Sequence, residues 1–184
     1  MKFIKTEISD VYIIEPSVFG DNRGYFLESF NLEKFEENIF PIKFVQDNES
    51  KSSRGVLRGL HFQKPPFNQA KLVRCIEGKV IDVAVDIRRG SPTYGKHVSI
   101  ELSGENKRQL FVPRGFAHGF SVLSDTAVFA YKVDNTYAPE HDAGIKYDDK
   151  ELNIDWSLTE EEVQLSEKDK NLSSFKDLDS PFKF

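Results

Sequence analysis

From residue 71 to residue 133 apolar side chains recur at every second position in short runs, the period of a half-buried strand. "AKLVRCIEGKVIDVAVDIRRGSPTYG" holds two such runs, rich in β-branched residues, that meet at Glu77-Gly78 and end in a Gly-Ser-Pro turn. They predict a β-hairpin followed by a loop. "KHVSIELSGENKRQLFVPRGFAHGFSVLSDTAVFAYKV" repeats the pattern, with "SGEN" and "LSD" as breakers and Pro113-Arg114-Gly115 interrupting its longest run. Strands this short, spaced by roughly 8 to 12 residues, indicate a sandwich or barrel. Helical periodicity is scarce. "NLEKFEENI" sets Leu32, Phe35 and Ile39 on one face behind an Asn31 cap. Beyond Trp156 the chain is acidic and mixed, and "TEEEVQLSEKDKNL" predicts short helical or irregular pieces laid against the barrel. The run Glu160-Glu161-Glu162 reads as a solvated face.

Composition narrows the picture. At 184 residues, 39% hydrophobic and 30% charged, with no internal repeat, low-complexity tract or dividing linker, residues 1–184 are expected to form one domain whose segment from about 156 packs on the barrel. A net charge of -5 argues against a general binder of nucleic acid or anionic membranes, although it leaves room for a local basic pocket. The single Cys75 lies in an apolar run, so no intrachain disulfide can form and a buried, inert thiol is expected. The opening "MKFIKTEISDV" has no apolar signal-peptide core, and no run is long enough to span a bilayer. The expectation is a soluble, cytoplasmic protein that engages neither membrane nor nucleic acid.

One strand breaks its own pattern. "VLRGLHFQ" (56–63) places Arg58 and His61 among apolar residues, and strict alternation would send them to opposite faces. Gly59 lies between them. A glycine within a strand often marks a β-bulge, and one extra residue there would bring Arg58 and His61 to the same face. A second histidine, His118, follows Pro113 and Gly115 in "PRGFAHGF". This Pro-x-Gly-x-x-His pattern resembles the second motif of cupin barrels, which are double-sheet jelly rolls. Metal-binding cupins carry His-x-His and a Glu in their first motif, whereas the matching stretch here is His61-Phe62-Gln63. Two imidazoles at most are too few for a mononuclear metal site, so no metal is expected.

A histidine that titrates near neutrality can instead move protons. Lys71, alternating with Leu72 in "QAKLVR", can carry an ammonium to a developing oxyanion, and Tyr131 in "VFAYKV" shares a face with Phe129 and Val133. A histidine base, a lysine and a tyrosine acid together suit proton abstraction next to a carbonyl, a reaction that needs no cofactor.

Seven blocks in order, "FGDNRGYFLESF", "FVQDNESKS", "VLRGLHFQ", "QAKLVRCIEGKVIDVAVDIRRGSPTYG", "LFVPRGFAHGF", "AVFAYKV" and "NTYAP", closely resemble the dTDP-4-dehydrorhamnose 3,5-epimerases from about Ile4 to beyond Asp169. The resemblance implies a mainly β, cupin-type jelly roll with a few short peripheral helices. It further implies a cofactor-free, metal-free homodimer, with N-terminal strands reaching across the partner, that acts on a dTDP-4-keto-6-deoxy sugar. By the same resemblance His61 is the base, Asp169 of "LSEKDK" orients it, Lys71 holds the C4 enolate oxygen, and Tyr131 returns a proton to the opposite face. Arg23 and Arg58 would pair with diphosphate oxygens, as guanidinium forks do well. Glu28, Gln46 and Asn48 would meet the pyrimidine and sugar, Phe19 would stack on the base, and His118 and Lys168 would line the sugar and phosphate region. Asp142 in "YAPEHDAG" stands where many members carry glutamate, one methylene longer. Single-centre epimerases and ketoisomerases share this scaffold. A cupin that only binds a nucleotide sugar and a metal-dependent oxygenase are the readings from other classes.

Overall fold

Two antiparallel sheets face each other in the computed structural model, which describes residues Met1–Phe184. In chain order the first strands are β1 (Lys2–Lys5), β2 (Tyr12–Glu15), β3 (Val18–Asp21) and β4 (Gly24–Leu27), followed by helix α1 (Leu32–Asn38). Next come β5 (Gln46–Ser53), β6 (Leu57–Gln63), β7 (Lys71–Glu77), β8 (Lys79–Asp86) and β9 (His97–Ser103). The chain continues through β10 (Gln109–Val112), β11 (Phe116–Val122), β12 (Thr126–Val133) and β13 (Asp142–Gly144), then a one-turn helix α2 (Glu167–Lys170). One sheet runs β1-β2-β10-β7-β12-β5, the other β13-β6-β11-β8-β9, and β3-β4 forms a separate hairpin. This is the double-sheet jelly roll expected of a cupin, and no helix in it is long and apolar enough to cross a membrane.

Alternation along the strands divides the apolar residues into three layers. Val73, Cys75, Val80, Ala84, Phe120 and Phe129 meet between the sheets. On the outer face of the five-stranded sheet, Leu57, Leu60, Phe62 and Val83 are covered by the C-terminal segment through Trp156, Phe175 and Phe182. On the outer face of the six-stranded sheet, Ile14, Leu72 and Phe111 are covered by α1. Asn31 caps that helix by accepting from the Lys34 amide at 3.2 Å, and Phe35 is its buried residue, while Leu32 stays exposed. Beyond residue 156 the chain is irregular apart from two single turns, and Glu162 of the acidic run pairs with Arg54 at 2.9 Å.

The predicted hairpin at Glu77-Gly78 is not one. β7 pairs with β10 and β12 in one sheet, and β8 pairs with β11 and β9 in the other, so the chain crosses between sheets at this turn. Both strands turn one face to the same interior, and alternation is satisfied equally by pairing and by crossing over. Gly78 has φ +80°, and a Cβ there would collide with the Thr126 carbonyl. The hairpin partner of β8 is β9, beyond the Gly-Ser-Pro loop.

The bulge is present. On β11, His118 pairs with His61 and Phe120 with Arg58, so Gly59 and Leu60 together stand opposite Gly119. Arg58 and His61 therefore both face the barrel interior, and Leu57 and Leu60 pack outward. Gly59 has φ +125°, and a Cβ would come within 2.6 Å of the Gly119 Cα and 2.8 Å of the His118 carbonyl oxygen. Gly59→Ala should accordingly destabilise the fold by about 1–3 kcal/mol from the backbone conformation alone, with the collision in addition. A urea midpoint equal to that of the parent chain would contradict this packing.

Candidate active site

A cavity of about 820 Å³ opens between the two sheets, and each sheet supplies one wall. His61 on β6 and His118 on β11 are cross-strand partners on the five-stranded side. Tyr131 on β12 and Lys71 on β7 come from the six-stranded side, where Tyr131 pairs with Val73 and Lys71 with Val133. Short α2 supplies Lys168 and Asp169 at the rim.

Each imidazole is held by a carboxylate. His61 Nε2 hydrogen-bonds Asp169 Oδ1, and His118 Nε2 lies 2.9 and 3.1 Å from the two oxygens of Asp82. Burial alone would raise the Asp169 carboxyl, but the hydrogen bond and charge of His61, with a hydrogen bond from Ser166, hold it below the usual range. Ionised Asp169 fixes a proton on Nε2 of His61, so in the neutral ring Nδ1 is the acceptor. Burial lowers His118, against the charge and hydrogen bond of Asp82, and so favours its neutral imidazole. No buried side-chain nitrogen or oxygen lacks a partner. His118 Nδ1, which has none within the chain, must therefore open onto the cavity. No group of three or more His, Cys, Asp and Glu residues is arranged to hold a metal ion.

Lys71 and Tyr131 make no side-chain hydrogen bond within the chain, and both line the cavity. Burial pulls the Lys71 amine down to about 8 from 10.5, against the charges of Asp82 and then Asp142. Burial also raises the Tyr131 phenol, so it is a protonated donor at neutrality. The cavity thus sets an imidazole acceptor on one wall, a phenol on the other, and an unpaired cation beside the phenol. Arrangements of this kind can remove a proton, stabilise an oxyanion and return a proton from another side.

The chain is also similar to known proteins. Residues 5–177 match the family model described as dTDP-4-dehydrorhamnose 3,5-epimerase. The chain belongs to the dTDP-4-dehydrorhamnose 3,5-epimerase family. The Shigella flexneri enzyme of that name is 57% identical over 97% of this chain and 98% of its own length. A solved family structure from Elizabethkingia anophelis NUHP1 is 59% identical, covers 96% of this chain and 97% of its own, and superposes with a TM-score of 0.91. A Legionella pneumophila structure, described as dTDP-6-deoxy-D-glucose-3,5-epimerase in complex with dTDP-4-keto-L-rhamnose, is 50% identical with a TM-score of 0.95, covering 100% and 98%.

Most residues that the family resemblance singles out converge here. Arg58 lines the cavity and uses one edge of its guanidinium on Ser52 Oγ at 3.1 and 3.3 Å, leaving the remainder free. Asn48 lines the same wall as Tyr131, its cross-strand partner, and receives a 2.8 Å hydrogen bond from Gln46. Lys168 forms an ion pair with Asp142, which also accepts from the Tyr137 hydroxyl at 3.5 Å. Phe19, Arg23 and Glu28 do not reach the cavity within one chain. The first two sit on the β3-β4 hairpin, where Phe19 is 64% exposed and Arg23 pairs only with Asp21, at 2.5 Å. Glu28 pairs with Lys34 at 2.6 Å, beside α1. The physical reason is covalent reach: Phe19 and Arg23 belong to a ribbon outside both main sheets, and Glu28 to the segment that joins this ribbon to α1.

Sequence reasoning omits Asp82 and Ser166. Asp82 is fully buried, with Val80 and Ala84 as its inward-facing neighbours on β8, and an acid at an inward position of an alternating strand was the available signal. Cys75 is buried with its thiol pushed up to about 11 by desolvation, as an inert core residue should be.

The Lys71 ammonium should titrate near pH 8 in side-chain NMR, and Asp82→Asn should lower that midpoint further by removing the strongest opposing charge. Because the unfolded amine holds its proton more tightly, stability should rise as pH increases from about 8 towards 10.5. A midpoint at the ordinary lysine value would refute the burial of this amine.

Proposed function

We propose that the chain epimerises C3 and C5 of dTDP-4-dehydro-6-deoxy-D-glucose, giving dTDP-4-dehydro-L-rhamnose. The observation that carries this reading is the placement of His61 and Tyr131 on opposite walls, with the Lys71 ammonium unpaired between the sheets. C3 and C5 both flank the C4 ketone. His61 Nδ1 takes the proton from either carbon, the electron pair moves into the C4 carbonyl, and the resulting oxyanion meets Lys71. Tyr131 then delivers a proton to the other face of the carbon, which inverts it. Imidazolium and phenolate exchange their proton imbalance with water, so the reaction is redox-neutral and each inverted centre acquires one solvent hydrogen. Arg58 and Lys168 supply positive charge for the diphosphate, and neutral His118 offers an acceptor to a sugar hydroxyl.

The protein works as a homodimer in this proposal. Phe19 (64% exposed) and Phe26 (69%), cross-strand partners, give the β3-β4 hairpin an aromatic face that its own chain leaves uncovered, while Tyr25 (57%) points to the other side. Lys107 holds it from within, with its ammonium 4.1 Å from the Tyr25 ring centroid. Extended across a partner, the hairpin carries Phe19 and Arg23 to the second cavity, where a stacking ring and a guanidinium suit a pyrimidine and a diphosphate.

In deuterated water the protein should place deuterium at both C3 and C5 of dTDP-4-keto-6-deoxyglucose, followed by NMR; exchange at one position alone would mean a single-centre epimerase. His61→Ala should abolish exchange with the fold intact, whereas Tyr131→Phe should retain part of the exchange and lose most net inversion. Co-folding His61→Ala chains with Arg23→Ala chains should restore activity at low substrate, since one site of each mixed dimer recovers both residues. Activity no higher than the sum of the parents would count against the shared site.

A further inference from the structure

The one-turn helix α2 brings Lys168 and Asp169 to the cavity rim, and its N-cap is Ser166. The Ser166 hydroxyl is engaged twice by one residue. Its oxygen accepts from the Asp169 backbone amide at 3.1 Å, and its proton goes to Asp169 Oδ2 at 2.8 Å. The first contact is ordinary N-capping, which fixes the backbone of residue 169. The second is not needed to cap the helix. It takes the carboxylate oxygen that His61 does not use, because His61 Nε2 bonds Oδ1.

We infer that Ser166 is a positioning residue for the His61 base, acting through Asp169. Asp169 is 4% exposed but Ser166 is exposed, so a cavity water is the available substitute for a lost hydroxyl on Oδ2, and a mobile water lacks the fixed direction of a side chain anchored to the backbone. Held at both oxygens, the carboxylate plane cannot turn about its last torsion, and Oδ1 stays aimed at Nε2. That aim keeps the proton on Nε2 and leaves Nδ1 unprotonated, the tautomer a base facing the cavity requires. Remove the hydroxyl donor, and Oδ2 keeps at best a mobile water that does not fix the carboxylate plane. The carboxylate then gains by rotating or by taking up a proton, and either change frees His61 to adopt its other tautomer. The spacing Ser-x-x-Asp resembles a capping box, except that the acid reaches back to the cap's hydroxyl instead of its amide. Ser166 lines the cavity, yet its hydroxyl is committed to Asp169 in both directions and has no proton left for a ligand.

This inference rests on His61 being the base, and three substitutions with two readouts separate the two ideas. Ser166→Ala should lower kcat about tenfold or more, the size of one hydrogen bond to a charged group, with KM within about twofold. Ser166→Thr keeps donor and cap and should restore kcat. Ser166→Asp keeps an excellent cap but has no proton to donate and adds a like charge, so it should be at least as impaired as Ser166→Ala despite an intact helix. Independently of turnover, nitrogen-15 NMR of the free protein should show His61 protonated on Nε2 in the parent and Ser166→Thr, and a tautomer mixture in Ser166→Ala. Unchanged kcat and tautomer in Ser166→Ala, an effect on KM alone, or full activity in Ser166→Asp would overturn the assignment. If the parent chain exchanges neither C3 nor C5 hydrogen, the reaction assigned above fails, and the tautomer measurement still decides the role of Ser166.

Discussion

Ionisable side chains can occupy the interior of a barrel only if each is paired or reaches water, because an isolated charge in a low-dielectric core costs several kcal/mol. The interior of this protein is ordered by that constraint. His118 and Asp82 satisfy each other where the cavity meets the dry core, and His61 and Asp169 do so at the rim. Lys71 has no ion-pair partner in the chain, and its lowered pKa expresses the strain of that position. An ammonium left wanting a counter-charge, yet still cationic near neutrality, is well suited to an oxygen that becomes negative only during reaction.

The double-sheet architecture matters to the chemistry for a simple geometric reason. Inversion at carbon needs proton removal on one face and proton delivery on the other, and residues on one sheet approach a ligand from one side. Two sheets stacked about 10 Å apart provide opposed walls with room for a sugar ring between them. The bulge at Gly59 serves the same end, since without its extra residue Arg58 and His61 could not both look inward.

Segments outside the two sheets complete what the sheets cannot supply. The C-terminal stretch covers the outer face of the five-stranded sheet and returns through α2 to place Asp169 against His61, 108 residues earlier in the chain. The β3-β4 ribbon has no comparable docking on its own chain. Its aromatic face and the family likeness together underlie the dimeric reading.

Several features were readable from residue order alone because they rest on local rules. Period-two alternation announces strands, the Asn31 cap announces α1, and a glycine between Arg58 and His61 announces a bulge. The family motifs also mark His61, Lys71, Tyr131 and Asp169, and the cavity contains all four. Tertiary structure decided the rest. Alternation records which side of a strand is buried and not which strand lies alongside, so β7 and β8 look like a hairpin and yet belong to different sheets. Likewise a buried acid such as Asp82, or a serine such as Ser166, acquires its role from the group it meets across the fold. Residue order carries each side chain's chemistry; only the closing of two sheets and a returning C-terminal segment determines which of those groups share a low-dielectric space.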